Sequence, residues 1–406
     1  MQLADVPLVL MLVGLVAYVV LGGADFGAGF WQLWGGGADR ERAIRDHAHH
    51  AMGPVWETNH VWLIFVLVVC WTAYPTAFAS IASTLCIPLF IAGVGIILRG
   101  TAYALRSGTA TPREQREVEI AFAVSSILTP FALGAVVGGI ASGRVPVGNA
   151  AGDLWTSWLN WLSLFIGALG VSTAAYLAAV YLAADAVRTG RPDLAAAFRV
   201  RAVGAGVVAG GLALAGLPVV HHEAPGLWDG LTSGWGLAAV IVSGVAGVAT
   251  LGLVYGSRFE PARVTAALAV AAIIAGWALA QRPQFLPGLT IDQAAAGRST
   301  LIAVVIAAVI AVVVLGPSLA LLFSLFLHGR FDPHTVELAE PDGAPPARRR
   351  FAAPQLGVVA AVCFVVGATL TFFFENAWAH VIGVSALLAF VGLGFVAVGW
   401  LVTESD

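Results

Sequence analysis

Four residues set among the apolar stretches of this chain could hold or move charge: Asp25, Glu57, His60 and Arg99. Glu57 and His60 fall in GPVWETNHVWL, residues 53–63, flanked by Trp56 and Trp62 and followed by an unbroken greasy run. Three residues apart, they share a helix face, and Trp56 stacks along the same side as His60 at a spacing of four. Imidazole both donates and accepts a proton near neutral pH, so this pair, with Asn59 beside it, has the chemistry of a relay. Gly53-Pro54 suits the opening of the helix that carries them. Taken alone, a membrane histidine such as His60 is more often a hydrogen-bonded packing residue than a relay.

The spacing of the charges along their helices adds to this. Asp25 lies nine residues before Trp34, Glu57 seven past His50, and Arg99 seven before Arg106. At 1.5 Å per residue each sits roughly 10–14 Å from the inner end of its own helix. Three independent segments thus bring two acids and one base to a similar depth. One reading is a buried ion-pair network locking the first three helices together. The other is a proton-conducting site facing the cytoplasm, since intramembrane carboxylates and histidines are common relay members. Two carboxylates against one arginine leave one acid without a full charge partner, which suits a proton carrier.

These depths have meaning only if the segments cross a membrane. The chain has 406 residues, 59% of them hydrophobic and 11% charged, with mean hydropathy +0.89. A soluble domain carries roughly 25% charged residues; this chain lacks the polar surface to cover itself in water. Eleven stretches meet the length of a spanning helix: 7–34, 51–74, 77–105, 117–141, 156–186, 199–220, 233–255, 262–281, 298–328, 353–375 and 378–402. With the N-terminus outside, the inner loops hold every arginine except Arg144, Arg282 and Arg298, which fall outside, and Arg99 within a helix. That bias supports both the orientation and the number of spans. No span is sharply interrupted near its middle by paired Gly and Pro. Asp25 and the absence of a basic leader mark the first segment as a retained span. A Pro- and Arg-rich linker, 329–352, separates a core of nine helices, 1–328, from a final pair in 353–406. AYVVLGGAD in the first helix loosely matches AYLAAVYLAAD in the fifth, a weak sign of duplication.

Several chemistries are excluded or weak. All basic residues are arginines, so no lysine is available for Schiff-base or phosphate-loop chemistry. No basic block points to nucleic acid. Cys70, Cys86 and Cys363 are scattered and read as buried small side chains. His47, His49 and His50 read as part of a solvated helix start, and His221-His222-Glu223 lacks a third ligand at a defined spacing, so no metal is expected. The glycines of GGADFGAG, 22–29, sit within a span and read as close-packing positions.

With these residues in view, the chain resembles subunit II of the cytochrome bd quinol oxidases. GGADFGAGF, GPVWETNHVWLIFVLVVCWTAYPTAFA, IPLFIAGVGIILRGTAYALR and GPSLALLFSLF carry the resemblance, which covers about residues 1–330. It implies an all-α polytopic membrane protein of two four-helix bundles plus a peripheral helix, here followed by two extra helices. It also implies a haem-free subunit in the bacterial cytoplasmic membrane, and eleven spans from an outside N-terminus put the C-terminus in the cytoplasm. The partner, subunit I, would carry two b-type haems and one d-type haem, and the pair would oxidise quinol and reduce oxygen to water. The resemblance leaves room for a structural quinone and for small accessory subunits.

Carried over by position, Glu57 falls at the acid associated with the mouth of a proton channel. Asp25 matches the second acid of a DGFDLG-like motif, and Arg99 the arginine closing the third helix. Gly22 stands where that motif often has its first acid, and His60 where some members have an acid. A proton-coupled secondary transporter is the rival reading, favoured by glycine-rich spans and inner-leaflet acids. An adjacent gene for a haem-bearing partner separates the two.

Overall fold

The computed structural model describes residues 2–33, 43–48, 55–106, 112–327, 353–373 and 376–403. Alanine, valine, leucine and glycine dominate these stretches, and where lipid cannot hydrogen-bond the backbone, a helix satisfies it internally. Among the described residues, eight helices are long and apolar enough to cross a membrane, and three shorter apolar segments, Asn59–Ala73, Val358–Thr371 and Val381–Phe390, accompany them. The protein is a multi-pass, all-α membrane protein.

The chain falls into two compact units, Met1–Leu327 and His328–Asp406. In the first, α1 runs Asp5–Leu33 and is followed by a helical segment at 43–48. Next come α2 Val55–Ala73, α3 Pro75–Thr84, α4 Cys86–Arg106, α5 Pro112–Ala141, α6 Trp161–Arg188 and α7 Pro192–Glu223. The short α8 Pro225–Leu231 leads to α9 Gly234–Tyr255 and α10 Phe259–Gln281. A two-stranded hairpin, Gln284–Leu286 with Leu289–Thr290, and the single turn α11 Ile291–Ala294 precede α12 Arg298–Leu327. In the second unit, α13 Ala353–Phe373 packs on α14 Ala377–Thr403. Gly367 and Gly383 face each other there: a Cβ on Gly367 would sit 2.9 Å from the Gly383 carbonyl.

Helix α6 is the spine of the first unit. Its run Ala174–Ala186 is almost wholly buried, with α1, α5, α7 and α10 against it. Alanines at most of these positions let neighbouring backbones approach closely. The closest approach is at Gly27 of α1, where a Cβ would lie 1.9 Å from the Ala174 carbonyl oxygen. Asn160 caps α6, its side chain accepting from the Ser163 amide at 2.9 Å. At the other end Gly190 takes φ +69, and the Arg191 amide reaches back to the Ala186 carbonyl at 2.8 Å, closing the helix.

Two interruptions correct the expectation of unbroken spans. In α1, Tyr18–Gly22 forms a π-helical turn, where one extra residue re-aims everything beyond it, including Asp25. The stretch expected as one span at 77–105 is two helices, with Leu85 as a turn between them. Pro88 lacks the amide that would bond the Thr84 carbonyl, which favours a break at this point. Cys86, exposed at this break, departs from the buried reading, whereas Cys70 is buried.

Candidate functional site

The site is built where α1, α2, α4 and α5 meet. The helical repeat past the π turn points Asp25 inward, where it is 8% exposed. One turn and a residue into α2, Asn59 is 2% exposed and donates through Nδ2 to the Asp25 carboxylate. Arg99 of α4 is 1% exposed, the largest side chain among the fully buried ones.

Burying a guanidinium requires that its donors and its charge be met. Arg99 Nη1 donates to Ser126 Oγ on α5, and Nη2 donates to the backbone carbonyl of Asp25 at 2.6 Å. Ser126 in turn donates to the Phe122 carbonyl at 2.6 Å. The guanidinium carbon lies 4.3 Å from the Phe122 ring centroid and 4.8 Å from that of Phe26, so π faces supply part of its electrostatic environment. Arg99 therefore clamps α1 to α5 through backbone and hydroxyl groups, while the Asp25 carboxylate is engaged by Asn59. Gly29 makes room for this: a Cβ there would lie 2.1 Å from Ser126 Oγ.

His60 lies on the adjoining face. Its ring is edge-on to Tyr18 at 6.1 Å and to Phe26 at 6.0 Å, and those two rings are 6.5 Å apart. Tyr18 thus links the π turn to the histidine. Among the described residues, the buried Tyr18 Oη and Asn59 Oδ1 have no hydrogen-bond partner. Glu57 and Trp56 occupy the first turn of α2, and their side chains lie outside the described residues.

Of the sequence-based candidates, the structure brings Asp25, Asn59, His60 and Arg99 together. Sequence reasoning missed Ser126, Phe26, Phe122 and Tyr18. The signal available for Ser126 was a serine pair, Ser125-Ser126, inside a span beside a small-residue stretch of α1.

A second polar group closes against α6. His47 Nε2 lies 3.1 Å from the Leu182 carbonyl and 3.7 Å from Asp185 Oδ2, and Asp185 also pairs with Arg188. At the opposite end of the helices, Glu223 is taken up by Arg144 at 2.9 Å, and His221 packs on Trp228 at 4.9 Å. His49 and His50 lie outside the described residues.

Residues 3–326 match the family described as cytochrome bd terminal oxidase subunit II. The chain is 28% identical over 133 residues to the cytochrome bd ubiquinol oxidase subunit 2 of Bacillus subtilis (strain 168), a stretch that is 33% of this chain and 38% of that one. It is 25% identical over 135 residues to the cytochrome bd-I ubiquinol oxidase subunit 2 of Escherichia coli (strain K12), 33% of this chain and 35% of that one. These matched stretches span little more than a third of either relative. In structure, the chain is similar to a chain of the bd oxidase from Geobacillus thermodenitrificans, with TM-score 0.65 and 25% identity, covering 81% of this chain and 99% of that one.

Proposed function

The chain belongs to the cytochrome bd terminal oxidase subunit II family, and we propose that it serves as the haem-free subunit of a bd-type quinol:oxygen oxidoreductase. In this reading it supports a haem-bearing subunit I and admits cytoplasmic protons for the reduction of oxygen to water. The observation that carries the proton role is the buried Asp25–Asn59 hydrogen bond, made inside the apolar helices beside Arg99. A carboxylate is expensive in lipid and is retained where it pairs or conducts. Arg99, clamped to a backbone carbonyl and a hydroxyl, holds the positive charge near Asp25 while leaving the carboxylate itself to Asn59.

The proposed route enters at Glu57, in the first turn of α2, and passes to Asn59, Asp25 and His60. Asn59 cannot titrate; it holds Asp25 in place and leaves Oδ1 open to accept a hydrogen bond. His60 has the chemistry to hand a proton on, and the neighbouring Tyr18 hydroxyl has a free hydrogen-bonding capacity. Trp56 and Arg99 are positioning residues here.

In this reading the chain itself carries no haem: His60 lies edge-on to two aromatic rings, and His47 is turned to Leu182 and Asp185. The redox groups, two b-type haems and one d-type haem, are assigned to the partner, which would bind quinol. A structural quinone and accessory subunits fit the family reading without an assigned residue. The eleven-span topology, with the N-terminus outside and the C-terminus in the cytoplasm, completes the proposal. Its nine-helix core is 1–328, built as two four-helix bundles plus a peripheral helix, followed by the linker 329–352 and a two-helix segment 353–406.

The test is a reduced-minus-oxidised visible spectrum of the complex purified through a tag on this chain. A d-type haem band with a second membrane subunit supports the reading. A stable, colourless preparation without a partner would sink it in favour of a proton-coupled transporter.

A further inference from the structure

Tyr18 opens the π-helical turn of α1 and is buried, and its hydroxyl has no hydrogen-bond partner among the described residues. Phenylalanine would supply the same ring without the cost of burying a lone hydroxyl. The side chain is also aimed against the usual direction. Long side chains on a helix lean back toward its N-terminus, but the Tyr18 ring lies over Gly22, four residues ahead. A Cβ on Gly22 would sit 3.2 Å from Cδ2 and from Cε2 of that ring. The wide turn and the bare position at 22 together direct the phenol toward Asp25.

Its surroundings are those of the buried site. The charges of Arg99 and Asp25 both act on the phenol. The ring meets His60 edge-on at 6.1 Å and Phe26 at 6.5 Å. Trp62, Leu63, Ile96 and Leu133 wall the cluster with apolar surface, which keeps bulk water from standing in for the hydroxyl. Helices α1 and α2 run antiparallel here, since Asp25 meets Asn59 and Gly14 lies against Phe65. Tyr18 and His60 therefore lie on one side of the Asp25–Asn59 pair, opposite the first turn of α2 where the proposed route enters. Beyond them both helices turn apolar, with LVGLVA at 12–17 and VWLIFVLVV at 61–69.

We propose that Tyr18 carries the proton route past Asp25. Its hydroxyl takes a proton from the Asp25 carboxyl as it gives its own to the His60 imidazole. Asp25 is left as a carboxylate and His60 as an imidazolium, while the phenol ends as neutral as it began. Atoms and charge balance, and no redox partner is needed. Rotation about the Cζ–Oη bond then resets the hydroxyl. This step rests on the Asp25 route proposed above and adds a residue to it. Packing alone asks for the ring; only the relay asks for the hydroxyl.

The test is Tyr18→Phe in the whole complex, compared at equal haem content, because it keeps the ring contacts and removes the hydroxyl alone. Quinol-driven oxygen consumption should fall about a hundredfold, the lower edge of what a positioned proton-transfer group contributes. The solvent deuterium isotope effect on turnover should rise, as proton transfer becomes the slow step. Full turnover in Tyr18→Phe would overturn the proposal. So would a fall with an unchanged isotope effect, which marks damage to packing instead. Asp25→Asn measured beside it shows which reading has failed. A slow Asp25→Asn with a fast Tyr18→Phe removes Tyr18 from an intact route, whereas full turnover in both removes the route itself.

Discussion

Asn59 of α2 donates a hydrogen bond to the carboxylate of Asp25 on α1, joining two helices whose residues are 34 apart in sequence. Arg99 approaches the same aspartate from the other side, but at its backbone carbonyl. The acid is thus held by a neutral donor while the nearby cation is anchored elsewhere. The clamp between α1, α4 and α5 thus runs through a backbone carbonyl and a hydroxyl, not through the carboxylate.

Removing the neutral donor tests this first. Asn59→Ala leaves a buried carboxylate without its partner, at a cost of roughly 1.5–3 kcal/mol. The purified complex should unfold at a lower temperature, with the haem spectrum of the assembled fraction unchanged. An unaltered midpoint would mean that the Asn59–Asp25 bond carries no weight.

The clamp itself should fail at Gly29. A methyl there would collide with Ser126 Oγ, 2.1 Å from the Cβ position, and displace the hydroxyl that receives Arg99. Gly29→Ala should therefore lower the yield of assembled complex more than Ser126→Ala, which removes the hydroxyl without a clash. The reverse order, read on a quantitative immunoblot of membranes, would count against the clamp.

Packing on α6 gives an independent check. At Gly27 an added Cβ would lie 1.9 Å from the Ala174 carbonyl, so Gly27→Ala should cost about 1–3 kcal/mol through overpacking. Gly204 of α7 meets nothing within 4 Å, and Gly204→Ala should be neutral or add about 0.5–1 kcal/mol through lower chain entropy. Thermal unfolding of the two variants side by side distinguishes them.

The loop before α6 carries a pH dependence. Asp153 Oδ1 accepts from the Thr156 amide at 2.7 Å, the Trp155 amide at 2.9 Å and the Thr156 hydroxyl at 3.0 Å. The Thr156 amide first, then the Trp155 amide and the Thr156 hydroxyl, hold its carboxyl below the usual carboxylate range. A depressed folded pKa gives support that is complete above the ordinary Asp value and fades as pH falls through the lowered one. Hydrogen exchange at the Trp155 and Thr156 amides, corrected for intrinsic rates, should accelerate under acid in wild type. In Asp153→Ala it should be fast at every pH. Slow exchange in Asp153→Ala would remove the turn from the account.

Much of this was legible in the chain. Asp25 and Arg99 stood out because a charge in a greasy run is costly, and their distances from the helix ends already placed them at one depth. Asn59 and His60 came with the same motif. Ser126 did not, because a span serine usually bonds its own helix carbonyl, and Ser126 does bond Phe122; its second role toward Arg99 needs the third dimension. The π turn at Tyr18–Gly22 was hidden for a related reason: valines and glycines fit an ordinary helix equally well, and only the packing around Tyr18 and Gly22 selects the wider turn. Pro88 was a readable break, overridden in the sequence reading by the apolar length of 77–105.

The central claim is that protons for oxygen reduction pass by Asp25, and Asp25→Asn addresses it most directly because it keeps size and hydrogen-bonding capacity while removing the titrating group. The measurement is quinol-driven oxygen consumption by the assembled complex, normalised to its d-type haem. The account predicts a fall of about a hundredfold, the lower edge of the 10²–10⁴-fold range of proton-transfer effects, with the haem spectrum intact. Glu57→Gln should act in the same direction. Full turnover in an Asp25→Asn complex with normal haem content would contradict the route and leave Asp25, Asn59 and Arg99 as a structural clamp alone.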